Sequence, residues 1–100
     1  MAERILHLNL KKQWFDMIAS GEKKEEYRNI NDYWYTRLAK FNEVQEGDKI
    51  IFSNGYSKDR RQMEVELLNA ICSQGNPAWG AEKGTIYFVL RLGEILKRNF

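Results

Sequence analysis

The residues of this sequence best suited to chemistry lie in one charged run of eight, from Gly21 to Arg28 (GEKKEEYR). A run so rich in charge is often a solvated surface. This one directly follows an apolar-patterned segment that ends in glycine, and it leads into Tyr27. Ammonium, carboxylate and guanidinium groups together can bind a phosphate or a base edge, or can transfer a proton. We interpret the run as a polar strand with one face lining a cleft.

The spacing within the run sets a geometric condition on any site built from it. Side chains alternate between the two faces of a strand, so Glu26 and Arg28 share one face and can pair. Lys23 and Tyr27 fall on the opposite face. Lys23 can therefore join Glu26 and Arg28 only if it lies before the strand begins or if the strand contains a bulge.

Composition predicts one folded domain, residues 1–100. Apolar residues make up 43% of the chain and aromatic residues 13%, which is enough to bury a core and argues against disorder. The formal net charge is +2, well short of the strongly basic domains in which charge alone indicates nucleic-acid binding. Any such binding has to come from a local patch.

The sequence favours a cytoplasmic protein. It contains no run of eighteen apolar residues that could span a membrane, and its first residues lack the apolar stretch of a signal peptide. Cys72 is the single cysteine, which suits a reducing compartment. With only His7 available as a partner, Cys72 supports neither a zinc site nor a Cys–His nucleophile, so we expect no metal and no cofactor.

Hydrophobic periodicity predicts the secondary structure around the charged run. Leu6, Leu8 and Leu10 alternate on one face of a strand, and Trp14, Phe15 and Ile18 then fall on one face of a helix. The predicted strands span 4–10, the charged run, 49–53, a segment starting at 62 within 62–71, and 85–92; the predicted helices span 11–20 and 32 to about 40. The tail, 94–100, is compatible with a helical turn or a strand extension. These elements favour an α+β fold built on a small, largely closed β-barrel of about five strands with two flanking helices.

Two later segments add candidate binding residues. The loop 56–61 carries an aromatic ring and the densest cluster of basic residues: Tyr56, Lys58, Arg60 and Arg61. Binding of a phosphate-bearing chain needs such a combination, although an ordinary solvated loop has the same composition. Trp79 is the only large apolar residue of the loop-like segment 73–84. It is either a lid over the core or a stacking platform for a base.

The chain resembles the ASCH domain family. Gly21, Lys23, Glu26 and Arg28 match the G-x-K-x-x-E-x-R signature of that family, whose members have a PUA-like β-barrel. The resemblance extends from about Ile5 to Val89 and points to a small bacterial and phage-type branch. It includes the following further matches: Tyr33-Trp34, Arg37-Leu38, Gly47-Asp48, Phe52-Ser53-Asn54-Gly55-Tyr56 and the basic segment 58–61.

The resemblance implies binding of RNA or nucleotides in a cleft beside the signature. Some small members are amidohydrolases that remove an acyl group from N4-acylated cytidine, with a threonine nucleophile three residues after the signature lysine. Glu26 occupies that position here. A carboxylate does not replace the hydroxyl nucleophile, but it can act as a base toward water. Ribonuclease activity has also been proposed for the family.

These observations leave three hypotheses. In the first, the chain binds single-stranded RNA or a nucleotide: Lys23 and Arg28 contact phosphate or a base edge, and Glu26 orients them or accepts from a base amino group. The electrostatic rim then comes from Lys58, Arg60 and Arg61, and the stacking rings from Tyr27, Tyr56 or Trp79.

In the second hypothesis, the chain is a hydrolase acting on a modified nucleoside or RNA. Glu26 is then the general base, Lys23 stabilises developing negative charge, and Arg28 positions the substrate. In the third, the charged cluster is a structural ion-pair network and function resides in a protein partner.

Overall fold

The computed structural model describes residues 4–100. Within this range the chain forms five strands and two α-helices: β1 (Ile5–Leu10), α1 (Lys12–Ala19), β2 (Glu25–Asn29), α2 (Asp32–Leu38), β3 (Lys49–Asn54), β4 (Arg61–Gln74) and β5 (Ile86–Arg98). Single 3₁₀ turns follow at Ala39–Phe41 and Pro77–Trp79. The predicted α+β class, with about five strands and two flanking helices, is confirmed.

All five strands belong to one mixed sheet with the order β1-β3-β4-β5-β2. β1 pairs with β3 in parallel, and the other three pairings are antiparallel. The sheet curls into a half-barrel. Its two edge strands are β1 and β2. The register between β4 and β5 shifts near Val65 and Leu67, and such bulges bend long strands and increase their twist.

Most of the buried apolar side chains form one hydrophobic core that packs on this sheet. The alternation predicted for β1 is confirmed, because Leu6, Leu8 and Leu10 are buried while His7 is exposed. Phe15 and Ile18 anchor α1 on the same cluster. The remaining buried members come from α2, the turn after it and the central strands: Leu38, Phe41, Ile50, Phe52, Met63, Val65, Leu67, Leu90 and Leu92.

Two strands are longer than the hydrophobic pattern predicts. β4 continues to Gln74 and β5 to Arg98, which makes the tail a strand extension. The two strands pair with each other along most of this length, and backbone hydrogen bonding does not depend on apolar side chains. No helix in the described part of the chain is long and apolar enough to cross a membrane.

Candidate functional site: a charged cleft beside β2

The turn after α1 places Lys23 beside the strand rather than in it. Gly21 adopts φ = 84°, which favours glycine because this region crowds a Cβ atom, and its amide donates to the Ile18 carbonyl at 3.0 Å. The Lys23 amide then donates to the Met17 carbonyl at 3.0 Å. β2 begins only at Glu25. The condition for Lys23 to join Glu26 and Arg28 is therefore met.

Lys23 is one of the most deeply buried side chains in the described structure. Its Nζ donates to the Trp79 carbonyl oxygen at 2.7 Å and lies 3.2 Å from Oε1 of Glu26. The ammonium also lies 5.2 Å from the ring centre of Trp14 and 4.8 Å from that of Tyr27. Burial lowers the pKa of Lys23, and the opposing attraction of Glu26 does not fully offset it. The lysine is thus enclosed by partners within the protein.

Glu26 connects the two cations of the signature. Oε1 faces Lys23, and Oε2 accepts from Nη2 of Arg28 at 2.9 Å. The Glu26 side chain is buried, and the Arg28 side chain is about one-fifth exposed. The cluster therefore presents a solvent-accessible guanidinium edge backed by a buried carboxylate.

Arg28 also bridges the two edges of the sheet. From β2, its Nη2 donates to the Asn9 carbonyl on β1 at 3.2 Å, and its guanidinium lies 4.9 Å from the ring centre of Trp34 on α2. Its Nε is enclosed and has no hydrogen-bond partner among the described residues. A buried donor without a partner costs free energy.

A short loop after β4 closes one side of the site. The Asn76 amide donates to the Tyr27 hydroxyl at 2.8 Å, and the Trp79 carbonyl accepts from Lys23. Gly80 allows Trp14 to pack against the loop, since a Cβ there would lie 2.9 Å from Cζ2 of that ring. Lys23 and Tyr27, both from the charged run, therefore hold this loop in place.

These elements enclose a cleft of about 440 Å³, here called the charged cleft. Its lining combines polar groups with five aromatic rings. The lining residues are Asn9, Leu10, Lys11, Trp14, Glu26, Tyr27, Arg28, Asn29, Tyr56, Trp79, Gly80, Glu82 and Tyr87. Hydrogen-bond donors, acceptors and π faces converge there, and convergent polar groups beside aromatic rings orient ligands in small-molecule sites.

The structure brings together five of the nine predicted site residues at this cleft. Glu26, Tyr27, Arg28, Tyr56 and Trp79 line it. The Tyr27 hydroxyl is not free, because it donates to Glu25 Oε1 at 2.7 Å and accepts from Asn76, and burial raises its pKa above the ordinary range. The hydroxyl of Tyr27 therefore supports the loop and is not available to a ligand.

The other four predicted residues lie elsewhere. Lys23 is buried behind the cleft, and Lys58 is exposed in the loop after β3. Arg60 lines a neighbouring cavity. Arg61 pairs with Asp16 at 2.8 Å and its guanidinium lies 4.6 Å from the ring centre of Phe15, so it fastens β4 to α1 instead of facing the cleft.

Sequence reasoning missed several residues of the cleft, notably Trp14, Asn9 and Tyr87. The helical pattern correctly placed Trp14 beside Phe15, but it assigned both rings to the core. Trp14 is only partly buried and faces the loop at Gly80. Asn9 lines the cleft because the curl of the sheet brings β1 close to β2. No local sequence pattern encodes this tertiary contact.

No three or more histidine, cysteine, aspartate or glutamate side chains converge as a metal site within residues 4–100. Comparison with protein-family models gives no match for this chain. The comparison with curated proteins gives no match either. The resemblance to the ASCH family therefore stays a prediction.

Proposed function

We propose that the charged cleft binds a nucleotide or single-stranded RNA through a base, and that the chain is a small RNA- or nucleotide-binding module of the ASCH type. The observation that carries the proposal is the Glu26–Arg28 pair, 2.9 Å apart, at an aromatic-walled cleft of about 440 Å³. Small-molecule sites in proteins have volumes of roughly 300–1,000 Å³. A cytoplasmic location, where such ligands are abundant, is part of the proposal.

The chemistry of the lining favours a base over a bare phosphate. A base edge presents donors and acceptors side by side, which a carboxylate and a guanidinium can match. Trp14, Tyr56 and Trp79 supply ring faces, and stacking of a base on an aromatic side chain contributes about 1–3 kcal/mol. Glu82 and Lys11 add one charge of each sign to the lining, so no strong positive field selects a lone anion.

The burial of Lys23 supports a positioning role for it. The sequence-based hypothesis gave this lysine direct contact with phosphate or a base edge. Its ammonium instead faces Glu26 and the Trp79 carbonyl, at 3.2 and 2.7 Å. In the proposal Lys23 fixes the carboxylate and the loop, while Arg28 and Glu26 contact the ligand.

A hydrolase would use the same residues, with Glu26 as the base. Both of its carboxylate oxygens already face cations, Oε1 toward Lys23 and Oε2 toward Arg28. Each oxygen has a second lone pair that can accept a hydrogen bond from a ligand, whereas taking a proton would cost Glu26 both ion pairs. The geometry therefore supports binding better than catalysis, and turnover of acylated nucleosides or RNA that depends on Glu26 would favour the hydrolase.

Intrinsic fluorescence can test the proposal, because two of the three tryptophans wall the cleft. We expect saturable changes when nucleoside monophosphates or short single-stranded RNA are added at low ionic strength, with weaker RNA binding as salt rises. Trp79→Phe should remove much of the signal change. The matched variant Trp34→Phe should retain it, because Trp34 does not line the cleft and phenylalanine keeps an aromatic ring beside the Arg28 guanidinium. Absence of binding by both fluorescence and calorimetry would reject the proposal.

A further inference from the structure

Among residues 4–100, Tyr56 is one of the most exposed large side chains, so it contributes little to their packing. It follows Gly55, which turns the chain with φ = 87°, and its side chain is 89% exposed. The turn itself is fixed, because Nδ2 of Asn9 donates to the Gly55 carbonyl at 2.6 Å. A large ring held in water on a fixed turn is available for contact with a ligand.

Tyr56 stands between two cavities. On one side it lines the charged cleft, and on the other it lines a second cavity of about 400 Å³. Asn9 also lines both cavities, so the two are adjacent. The residues around the second cavity are His7, Leu8, Asn9, Ser53, Gly55, Tyr56, Arg60 and Gln62.

The second cavity differs from the charged cleft in its charge. Its lining includes Arg60 and, among the described residues, no carboxylate. Nη1 of Arg60 donates to the Ser57 carbonyl at 3.2 Å, which restrains the guanidinium near the turn. Lys58 is exposed on the same loop. A cation with neutral polar neighbours suits a phosphate, and arginine binds phosphate with several donors at once.

We propose that these two cavities form one track for a single-stranded oligonucleotide of at least two nucleotides. One base lies in the charged cleft, the Tyr56 ring stacks on the base of the next nucleotide, and the phosphate of that nucleotide lies at Arg60. This inference rests on the proposed function and deepens it, since it makes the preferred ligand an oligonucleotide rather than a free mononucleotide. Aromatic stacking combined with a basic groove is the general mode of single-strand binding.

The test compares the dissociation constants of nucleoside 5′-monophosphates with those of trinucleotides, each in ribo and deoxyribo form. We expect the best trinucleotide to bind at least about tenfold more tightly than the best monophosphate, the effect of one added stacking and phosphate contact. Tyr56→Ala and Arg60→Gln should each reduce this ratio severalfold. Tyr35→Ala, which removes an exposed tyrosine from α2, should leave the ratio unchanged.

The outcomes separate the two proposals. Equal affinities for monophosphates and trinucleotides, or a ratio unaffected by Tyr56→Ala and Arg60→Gln, would overturn the track and leave the proposed function standing. Binding of neither ligand class would overturn both. Tyr56 is exposed, so a folding defect is not expected from its replacement.

Discussion

The ammonium nitrogen of Lys23 lies 3.2 Å from Oε1 of Glu26, and less than one-tenth of either side chain is exposed. Burial of the lysine lowers its pKa despite this partner. The charged form is therefore less stable in the folded protein than in water. We infer that Lys23 is present to build the charged cleft and does not raise the stability of the fold.

Replacement of Lys23 by methionine tests this inference. The variant Lys23→Met keeps the apolar stem and removes the cost of burying one charge, but it loses the hydrogen bond to Trp79 and the ion pair with Glu26. Glu26 is not left as an isolated buried charge, because it keeps Arg28 as a partner. We expect the free energy of unfolding to stay within about 1 kcal/mol of wild type. Lys24→Met, at the exposed neighbour, is the control and should change it by no more than about 0.5 kcal/mol.

The same variant separates function from structure. Ligand affinity should fall about tenfold in Lys23→Met, because Glu26 loses the partner that orients it. If chemical denaturation instead showed a loss of stability above about 3 kcal/mol, the charged cluster would be a structural ion-pair network.

Alkaline pH should stabilise the wild type relative to Lys23→Met. The ordinary pKa of this lysine is 10.5, and the folded value is lower. Between the two values the unfolded chain holds more protons than the folded one, so the free energy of unfolding rises with pH. At a pH below the folded pKa of Lys23 the cost of the buried charge is fully present, and above pH 10.5 it is absent. Chemical denaturation of both proteins from neutral pH to pH 10.5 measures the difference between their free energies of unfolding. A difference that does not change with pH would contradict the lowered pKa of Lys23.

Glu26→Gln should weaken ligand binding about tenfold or more, since a neutral amide replaces a charged acceptor at the cleft. Glu25→Gln is the matched control. Glu25 is the preceding residue of β2 and does not line the cleft; one of its oxygens accepts from the Tyr27 hydroxyl, and the other pairs with Arg91. Calorimetric titration of both variants with the same nucleotide gives the comparison. Equal losses in the two variants would argue against a specific contact at Glu26.

Gly80→Ala should loosen the loop that closes the cleft. The residue has φ = 101°, and a Cβ atom would lie 2.9 Å from the Trp14 ring. Gly84→Ala is a close control, because φ is 84° but no described atom lies within 4 Å of the added Cβ. We expect about 1 kcal/mol of destabilisation from the backbone at both positions and about 1–3 kcal/mol more at Gly80.

Amide hydrogen exchange across residues 75–84 reports the same effect locally. Exchange should be faster in Gly80→Ala than in Gly84→Ala, because only the first substitution displaces Trp14. Identical exchange in the two variants would show that the Trp14 contact does not hold the loop.

Local rules predicted the parts of this molecule that depend on neighbours in sequence. The pleating of β2 paired Glu26 with Arg28, and the condition on Lys23 was satisfied by its position before the strand. The predicted helix 11–20 agrees with α1, which ends at Ala19 shortly before Gly21. A local contact also begins α2, because the Asn31 side chain accepts from the Trp34 amide at 3.0 Å.

The sequence did not reveal contacts between distant segments. The Trp79 carbonyl meets Lys23 across 56 positions, and the Asn9 carbonyl meets Arg28 only because the sheet curls. Arg61 was predicted at the rim, yet its pairing with Asp16 draws it to α1. A residue's face on its own element can be deduced from spacing, whereas its partner on another element depends on how the sheet closes.

The most direct test of the central claim is a nuclear magnetic resonance map of ligand binding. The amide resonances of uniformly ¹⁵N-labelled protein are followed at low ionic strength as nucleoside monophosphates and short single-stranded RNA are added. We expect shift changes at Asn9, residues 26–29, Tyr56 and the indole N–H groups of Trp14 and Trp79. Absence of changes at these positions, or changes confined to residues that do not line the charged cleft, would contradict ligand binding in the cleft.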